Sequence, residues 1–112
     1  MQYRAIKPWT VHYPDPIRGA AGDRLALGRC DDEYPGWIWA TAADGRAGWV
    51  PENWLRVEGE QGVLRRNYTA AELPLTVGDI IIGEVELNGW LWATNAAGEQ
   101  GWVPLDCLSL NE

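Results

Sequence analysis

An internal repeat is the feature that most constrains this chain of 112 residues. Residues 36 to 55 read GWIWATAADGRAGWVPENWL, and residues 89 to 108 read GWLWATNAAGEQGWVPLDCL, with twelve of twenty positions identical at a constant offset of 53. The pair Gly22-Asp23 recurs as Gly78-Asp79 at an offset of 56. The repeat predicts two copies of one unit, residues 1–57 and 63–112, joined by the short polar linker 58–62.

The pattern within each copy is typical of β-structure. Short runs of Val, Ile, Leu, Trp and Thr are separated at intervals of about 8 to 12 residues by Gly, Pro, Asp or Asn, as in small all-β barrels. Alternation in residues 37–41 places the small Ala40 toward a tight core. Ala43-Asp44-Gly45 and Ala97-Gly98 predict hairpin turns, and Pro51 and Pro104 end the return strands because proline has no ladder donor. The sequence therefore predicts an all-β fold of two tandem barrels.

The amino-acid composition favours a binding protein over an enzyme. The chain has eight Trp, four Tyr and no Phe, and such amphipathic aromatics favour surfaces that bind. It has a single His (His12) and a single Ser (Ser109), and its two Cys show no metal-ligand spacing. We therefore expect no enzyme activity, no cofactor and no metal site. Cys30 and Cys107 are 77 positions apart without a CxxC motif, which predicts free thiols.

The net charge of −7 lies entirely in the second half. Residues 1–57 contain seven basic and seven acidic residues, whereas residues 58–112 contain two Arg and nine acidic residues. This balance argues against nucleic acid as a partner and favours basic partners, with simple solubility as the alternative. No apolar run reaches the length of a signal or a membrane span, so we expect a cytoplasmic protein without a membrane partner.

The ordered motifs resemble the Src homology 3 family, as a tandem pair of small, bacterial-type domains. The first copy gives AIKPW from residue 5, GD at 22, GWIWA from 36 and GWVPENWL from 48. The second gives LRRNY from 64, GD at 78, GWLWA from 89 and GWVPLDCL from 101. The resemblance implies a non-enzymatic interaction module that binds extended, proline-rich peptides in an aromatic groove.

The resemblance also implies which residues form each groove. In the first copy, the better predicted binder, they are Trp9, Tyr13, Trp37, Trp49, Pro51, Asn53 and Trp54. The acidic loops beside this groove would anchor a basic residue of the peptide through Asp15, Asp31, Asp32 and Glu33, unless these acids only keep the loops solvated. A weaker second groove would consist of Tyr68, Trp90, Trp102 and Pro104. We expect the Trp37 ring to be mostly exposed.

Three alternatives remain open from the sequence. The chain can be a structural or regulatory accessory protein whose two barrels pack together and bind no free peptide. The segment Tyr13-Pro14-Asp15-Pro16 can occlude a groove, and Trp39 and Trp92 can be structural rings. Finally, several aromatic faces beside an acid can cage a methylated lysine.

Overall fold

The computed structural model describes residues 1–111, so Glu112 of the predicted second copy lies outside the described residues. The chain is almost entirely β-strands, with two short 3-10 helices, Glu52–Trp54 and Leu105–Cys107. The strands are β1 (Gln2–Ala5), β2 (Arg18–Gly19), β3 (Arg24–Cys30), β4 (Trp37–Thr41), β5 (Ala47–Pro51), β6 (Leu55–Glu58), β7 (Gln61–Leu64), β8 (Tyr68–Thr69), β9 (Ile80–Leu87), β10 (Trp90–Thr94), β11 (Gln100–Pro104) and β12 (Leu108–Leu110). The predicted all-β, tandem fold is confirmed.

The strands form two compact units. Unit 1 consists of two segments, Met1–Pro14 and Ala71–Glu112, and unit 2 is the continuous segment Asp15–Ala70. Each unit is built around one antiparallel five-stranded sheet, and unit 2 adds the short pair β2 and β8. The compact units therefore have different boundaries from the sequence repeats.

In unit 2 the strand order is β5-β4-β3-β7-β6, so β7 is an interior strand. It pairs with β3 through Arg24↔Val63 and with β6 through Leu55↔Leu64. The segment expected to link the two copies, 58–62, contains the tight turn between β6 and β7, with Glu58 paired to Gln61. Gly59 has φ of 64° in this turn, a conformation that glycine adopts without steric cost.

Unit 1 has the equivalent order β11-β10-β9-β1-β12, with β1 as the interior strand. Tyr3 lies between Ile81 of β9 and Leu110 of β12 in the register of the sheet. The opening strand of the first repeat thus completes a sheet whose other strands come from the second repeat. Likewise, the opening strand of the second repeat, β7, completes the sheet of the first. The two repeats have exchanged their opening strands.

Side-chain volume gives a physical reason for this exchange. Ala5 and Leu64 occupy corresponding positions at the ends of β1 and β7. In unit 2 the larger Leu64 faces Gly19, where an added Cβ would lie 2.8 Å from Leu64 Cδ1. In unit 1 the smaller Ala5 shares the core with Leu75. Each unit therefore pairs one large residue with one smaller residue. Without the exchange, Ala5 would meet Gly19 and leave a void, and Leu64 would meet Leu75 and clash.

The cores are apolar and tightly packed at the hairpin strands. Ala40 and Ala93 are completely buried, which confirms the prediction for Ala40. The hairpins β4–β5 and β10–β11 turn at Gly45 (φ 89°) and Gly98 (φ 84°), as expected from the sequence. Strands β5 and β11 end at Pro51 and Pro104, also as predicted.

Both cysteines are free thiols, as predicted, with Cys30 exposed in unit 2 and Cys107 buried in unit 1. The Cys30 thiol donates a hydrogen bond of 3.1 Å to Glu52 Oε1, and this bond raises the pKa of the thiol. Across residues 1–111, no helix has the length and apolar character needed to span a membrane.

The exchange predicts which fragment of the chain folds. A fragment of residues 15–70 contains every strand of unit 2, whereas a fragment of residues 1–57 lacks β7 and its buried Val63 and Leu64. We expect the 15–70 fragment to unfold cooperatively in urea and to show dispersed amide signals in NMR. The 1–57 fragment should show neither property. A cooperatively folded 1–57 fragment together with a disordered 15–70 fragment would contradict the exchanged topology.

Candidate aromatic binding sites

The exchange of opening strands redistributes the predicted groove residues. Of the residues assigned to the first groove, Trp9 and Tyr13 lie in unit 1, while Trp37, Trp49, Pro51, Asn53 and Trp54 lie in unit 2. Of those assigned to the second groove, Tyr68 lies in unit 2, while Trp90, Trp102 and Pro104 lie in unit 1. Each unit therefore combines the opening aromatic of one repeat with the later aromatics of the other.

In unit 2, Tyr68 and Trp54 form an edge-to-face pair with ring centroids 5.7 Å apart at 84°. The Tyr68 hydroxyl donates a hydrogen bond of 2.8 Å to the Trp49 carbonyl, and Tyr68 is only 6% exposed. The guanidinium of Arg66 lies over the Trp54 ring, 4.1 Å from its centroid. The chain's own cation therefore occupies a ring face that a ligand would need.

The expectation that the Trp37 ring is mostly exposed is wrong. Trp37 is 3% exposed, and its strand neighbour Pro51 is fully buried, while Asn53 in the following 3-10 helix is exposed. Trp37 lies opposite Pro51 in the β4–β5 register, and strand alternation alone does not reveal how deeply such a ring is covered. Neither Trp37 nor Pro51 offers surface to a ligand in this structure.

Four further tryptophans form two cross-strand pairs. Trp39 and Trp49 lie 5.1 Å apart at 78°, and Trp92 and Trp102 lie 5.4 Å apart at 68°. Such edge-to-face pairs contribute about 0.5–1.5 kcal/mol beyond the area they bury. Arg29 lies 5.0 Å from the Trp49 centroid, and both Trp102 and its neighbour Pro104 are buried. These contacts fit the structural alternative for Trp39 and Trp92.

The predicted acidic loops are partly occupied by local contacts. Asp15 accepts a hydrogen bond of 2.8 Å from Arg46 Nε, in an exposed ion pair that contributes little to stability. Asp31 Oδ1 accepts the backbone N–H of Glu33 at 2.8 Å, so this carboxylate shapes its own turn. Asp32 and Glu33 are exposed.

Unit 1 contains a different aromatic cluster, made of Trp9, His12, Glu72 and Trp90 and here called the Trp9 site. Trp9 and Trp90 meet edge to face, with centroids 5.4 Å apart at 80°, and the His12 ring lies 4.7 Å from Trp9. Trp9 Nε1–H donates a hydrogen bond of 2.9 Å to Glu72 Oε1. Both indole rings are half-buried and His12 is exposed, so the cluster is reachable from solvent.

Backbone pairing holds the Trp9 site together. Trp9 forms an antiparallel bridge with Leu75, and Glu72 forms a parallel bridge with Trp102. An added Cβ at Gly101 would lie 2.8 Å from the backbone at Glu72 and Leu73, so only glycine permits this close approach. Hydrogen-bonded backbone bridges, and not only loop contacts, therefore hold the residues of the site in place.

Glu72 is the charged group of this site, and sequence reasoning missed it. Burial raises the pKa of its carboxyl, whereas the bond from Trp9, the charge of His12 and the backbone N–H groups of Tyr13 and His12 act to lower it. Glu72 comes from the second repeat and Trp9 from the first. The motifs of one repeat therefore could not predict the contact between Trp9 and Glu72.

The repeat position that is Trp54 in unit 2 is Cys107 in unit 1. Its thiol is buried, which raises its pKa, and Sγ lies 4.0 Å from the Pro8 carbonyl. A thiol provides no ring wall, so Trp9 and Trp90 are the aromatic surfaces beside Glu72. Within residues 1–111, no group of three His, Cys, Asp or Glu side chains is arranged to hold a metal ion.

Charge divides unevenly between the units. Unit 1 contains two basic and seven acidic residues, a net charge of −5, whereas unit 2 contains seven basic and nine acidic residues, a net charge of −2. The Trp9 site therefore belongs to the more acidic unit. Its potential favours encounter with a cationic ligand.

The burial of Trp37 predicts a stability effect. Because the ring is buried, Trp37→Ala should lower the free energy of unfolding by about 3–5 kcal/mol. Trp54→Ala, which removes a half-buried ring from the same unit, should cost clearly less and serves as the matched control. Urea unfolding followed by circular dichroism measures both variants. A loss below about 1 kcal/mol for Trp37→Ala would contradict a structural role.

The raised pKa of Glu72 predicts a pH dependence of stability. Because the folded-state pKa lies above the unfolded value, the stabilising contribution is complete below the ordinary value of 4.5 and is lost as pH rises through the folded pKa. Between pH 4.5 and the folded-state pKa, the free energy of unfolding of the native chain should therefore fall relative to that of Glu72→Gln. Above the folded-state pKa, the difference between the two chains should stay constant. Urea titrations at a series of pH values test this. A rise in the free energy of unfolding of the native chain relative to Glu72→Gln with increasing pH would contradict this prediction.

A family model identifies the family of this chain, and one relative is similar to part of it. The family model described as variant SH3 domain matches residues 2–58 and again residues 63–110. The human protein named SH3 and PX domain-containing protein 2B is 43% identical over 53 residues, which are 44% of this chain and 6% of that protein. The chain thus spans a small part of that relative's length. Domains of this family are in general non-catalytic protein-interaction modules. With both repeats matched by the same family model, the chain belongs to the SH3 (Src homology 3) family.

Proposed function

We propose that this protein binds extended, proline-rich peptide segments that contain a basic residue, and that the Trp9 site is the main binding surface. The observation that carries the proposal is a half-buried carboxylate, Glu72, beside two half-buried and mutually perpendicular indole rings, Trp9 and Trp90. The proposal keeps the peptide class implied by the family resemblance. It assigns the stronger binding to unit 1, although the motifs alone favour the first repeat.

Burial and charge support this choice of unit. In unit 2, Trp37, Pro51 and Tyr68 are buried, and Arg66 covers a face of Trp54. A peptide would have to displace that guanidinium and move buried rings before it could bind there. In unit 1, both indoles retain exposed surface and the unit carries the larger negative charge. Binding in unit 1 requires less rearrangement.

The physical basis of recognition combines three terms. A polyproline II segment is already extended and loses little conformational entropy when it docks. Half-exposed indole faces bury the apolar faces of proline rings. The carboxylate of Glu72 attracts a basic side chain at one end of the segment, and this charge sets the direction of the peptide.

The closed character of unit 2 supports a second, accessory role for that unit. Arg66 lies over the Trp54 ring, and the Tyr68 hydroxyl donates its hydrogen bond to the Trp49 carbonyl. We propose that unit 2 supports the fold and that it binds free peptide weakly or not at all.

An NMR titration of the eight indole N–H signals with a proline-rich peptide containing one Arg or Lys tests the proposal. Saturable shifts should appear first at Trp9 and Trp90 and should weaken with added salt. Glu72→Gln should reduce the affinity about threefold or more, whereas Glu84→Gln, which removes the same charge from an exposed position on β9, should leave it nearly unchanged. No shift of any indole at millimolar peptide would refute peptide binding, and shifts confined to unit 2 would refute the assignment to unit 1.

A further inference from the structure

The outer face of the unit 1 sheet carries an exposed apolar row on its central strand, β9. Ile81 is completely buried, whereas its neighbours Ile80 and Ile82 are 38% and 45% exposed, so strand alternation turns these two outward. A bulge in the pairing of β9 with β10 places Val85 opposite Trp92 and brings it to the same face, where it is 37% exposed. Ile80, Ile82 and Val85, here called the apolar row, extend for about 15 Å along the strand.

The corresponding strand of unit 2, β3, provides an internal comparison. At the repeat offset of 56, the positions of the apolar row are Arg24, Ala26 and Arg29. Arg24 forms an ion pair of 3.0 Å with Glu58, and the Arg29 guanidinium lies 5.0 Å from the centroid of the Trp49 ring. Unit 2 therefore places cationic side chains where unit 1 exposes branched apolar ones.

This difference extends to the whole surface of the two units. Of the large hydrophobic side chains that are exposed within residues 1–111, only Val57 lies in unit 2, and all the others lie in unit 1. Exposed apolar side chains that lie together and are rimmed by polar residues mark interaction surfaces. The apolar row is therefore a candidate interaction surface of unit 1.

The charges at the two ends of the apolar row indicate what covers it. Arg4 of β1 lies opposite Ile80 at one end, and Glu84 precedes Val85 at the other. Both charged side chains are exposed, and within residues 1–111 neither forms an ion pair. Glu84 accepts a hydrogen bond of 3.3 Å from the neutral Gln100. A row with a cation at one end and an anion at the other is complementary to a second copy of itself turned end to end.

We propose that two copies of this chain form a two-fold dimer by packing their apolar rows face to face. The two β9 strands run antiparallel across the interface, so Arg4 of each copy approaches Glu84 of the other. Sheets that pack in this way lie about 10 Å apart, which leaves room for one layer of interdigitated apolar side chains. No residue of the Trp9 site belongs to the apolar row, so the dimer does not depend on the peptide binding proposed above.

Sedimentation velocity of the full chain between about 5 and 500 µM tests the proposal, because an interface of this small size gives a weak dimer. The weight-average mass should rise from that of one chain to that of two. Ile82→Ala combined with Val85→Arg introduces the residue types that unit 2 has at these positions, and this variant should stay monomeric. Val57→Arg, at an exposed apolar position of unit 2, is the matched control and should dimerise like the native chain. A native chain that stays monomeric, or a double variant that dimerises equally well, would overturn the proposal.

Charge reversal tests the end-to-end arrangement by the same measurement. Arg4→Glu alone, or Glu84→Arg alone, brings like charges together at both ends of the interface and should weaken dimerisation about tenfold. The combined variant restores opposite charges and should return the dissociation constant to within about threefold of the native value. Because both side chains are exposed, these changes leave the core of unit 1 intact. Single variants that dimerise like the native chain, or a combined variant weaker than either single one, would refute the antiparallel arrangement.

Discussion

The backbone ladders that hold β1 and β7 inside their sheets are the interactions on which the rest of this structure depends. Each strand bonds to neighbours on both sides: β1 to β9 and β12, and β7 to β3 and β6. An interior strand cannot leave without exposing backbone donors and acceptors on two neighbours, and each unmade buried bond costs about 1–3 kcal/mol. Both strands come from the opposite sequence repeat, so the sheet of unit 2 is complete within residues 15–70, whereas the sheet of unit 1 requires both terminal segments of the chain.

The exchange also determines the composition of the binding sites. It combines Trp9 of the first repeat with Glu72 and Trp90 of the second, and it combines Tyr68 of the second with Trp54 of the first. Two similar repeats therefore produce two dissimilar sites. One has a half-buried carboxylate beside its indoles, and the other has an arginine on its indole and a buried tyrosine.

The sequence predicts those parts of the fold that depend on local pattern. The hairpin turns at Gly45 and Gly98, the strand ends at Pro51 and Pro104 and the buried Ala40 all follow from residues within a few positions of one another. The exchange joins residues far apart in the chain, such as Arg4 with Ile80 and Arg24 with Val63. The opening strands of both repeats carry similar patterns, so periodicity alone allows either pairing. The size match of Leu64 with Gly19 is a signal present in the sequence, but it becomes readable only when the core is known.

The candidate site is less predictable than the fold for the same reason. The aromatic residues could be identified from the motifs, whereas their partners depend on which opening strand enters which sheet. The exposure of Trp37 could not be inferred from strand alternation, because alternation assigns a face and not the depth of its cover. Glu72 has no motif of its own, and its place in the site depends on a hydrogen bond from Trp9, a residue of the other repeat.

The most direct test of the exchanged topology is a measurement of nuclear Overhauser effects between backbone protons of the isotope-labelled full chain. We expect cross-strand effects of β1 with β9, at Gln2 with Ile82 and Arg4 with Ile80, and of β7 with β3, at Arg24 with Val63. Effects of β1 with β3, and of β7 with β9, would show that each repeat keeps its own opening strand. That result would contradict both the exchange and the Trp9 site built on it.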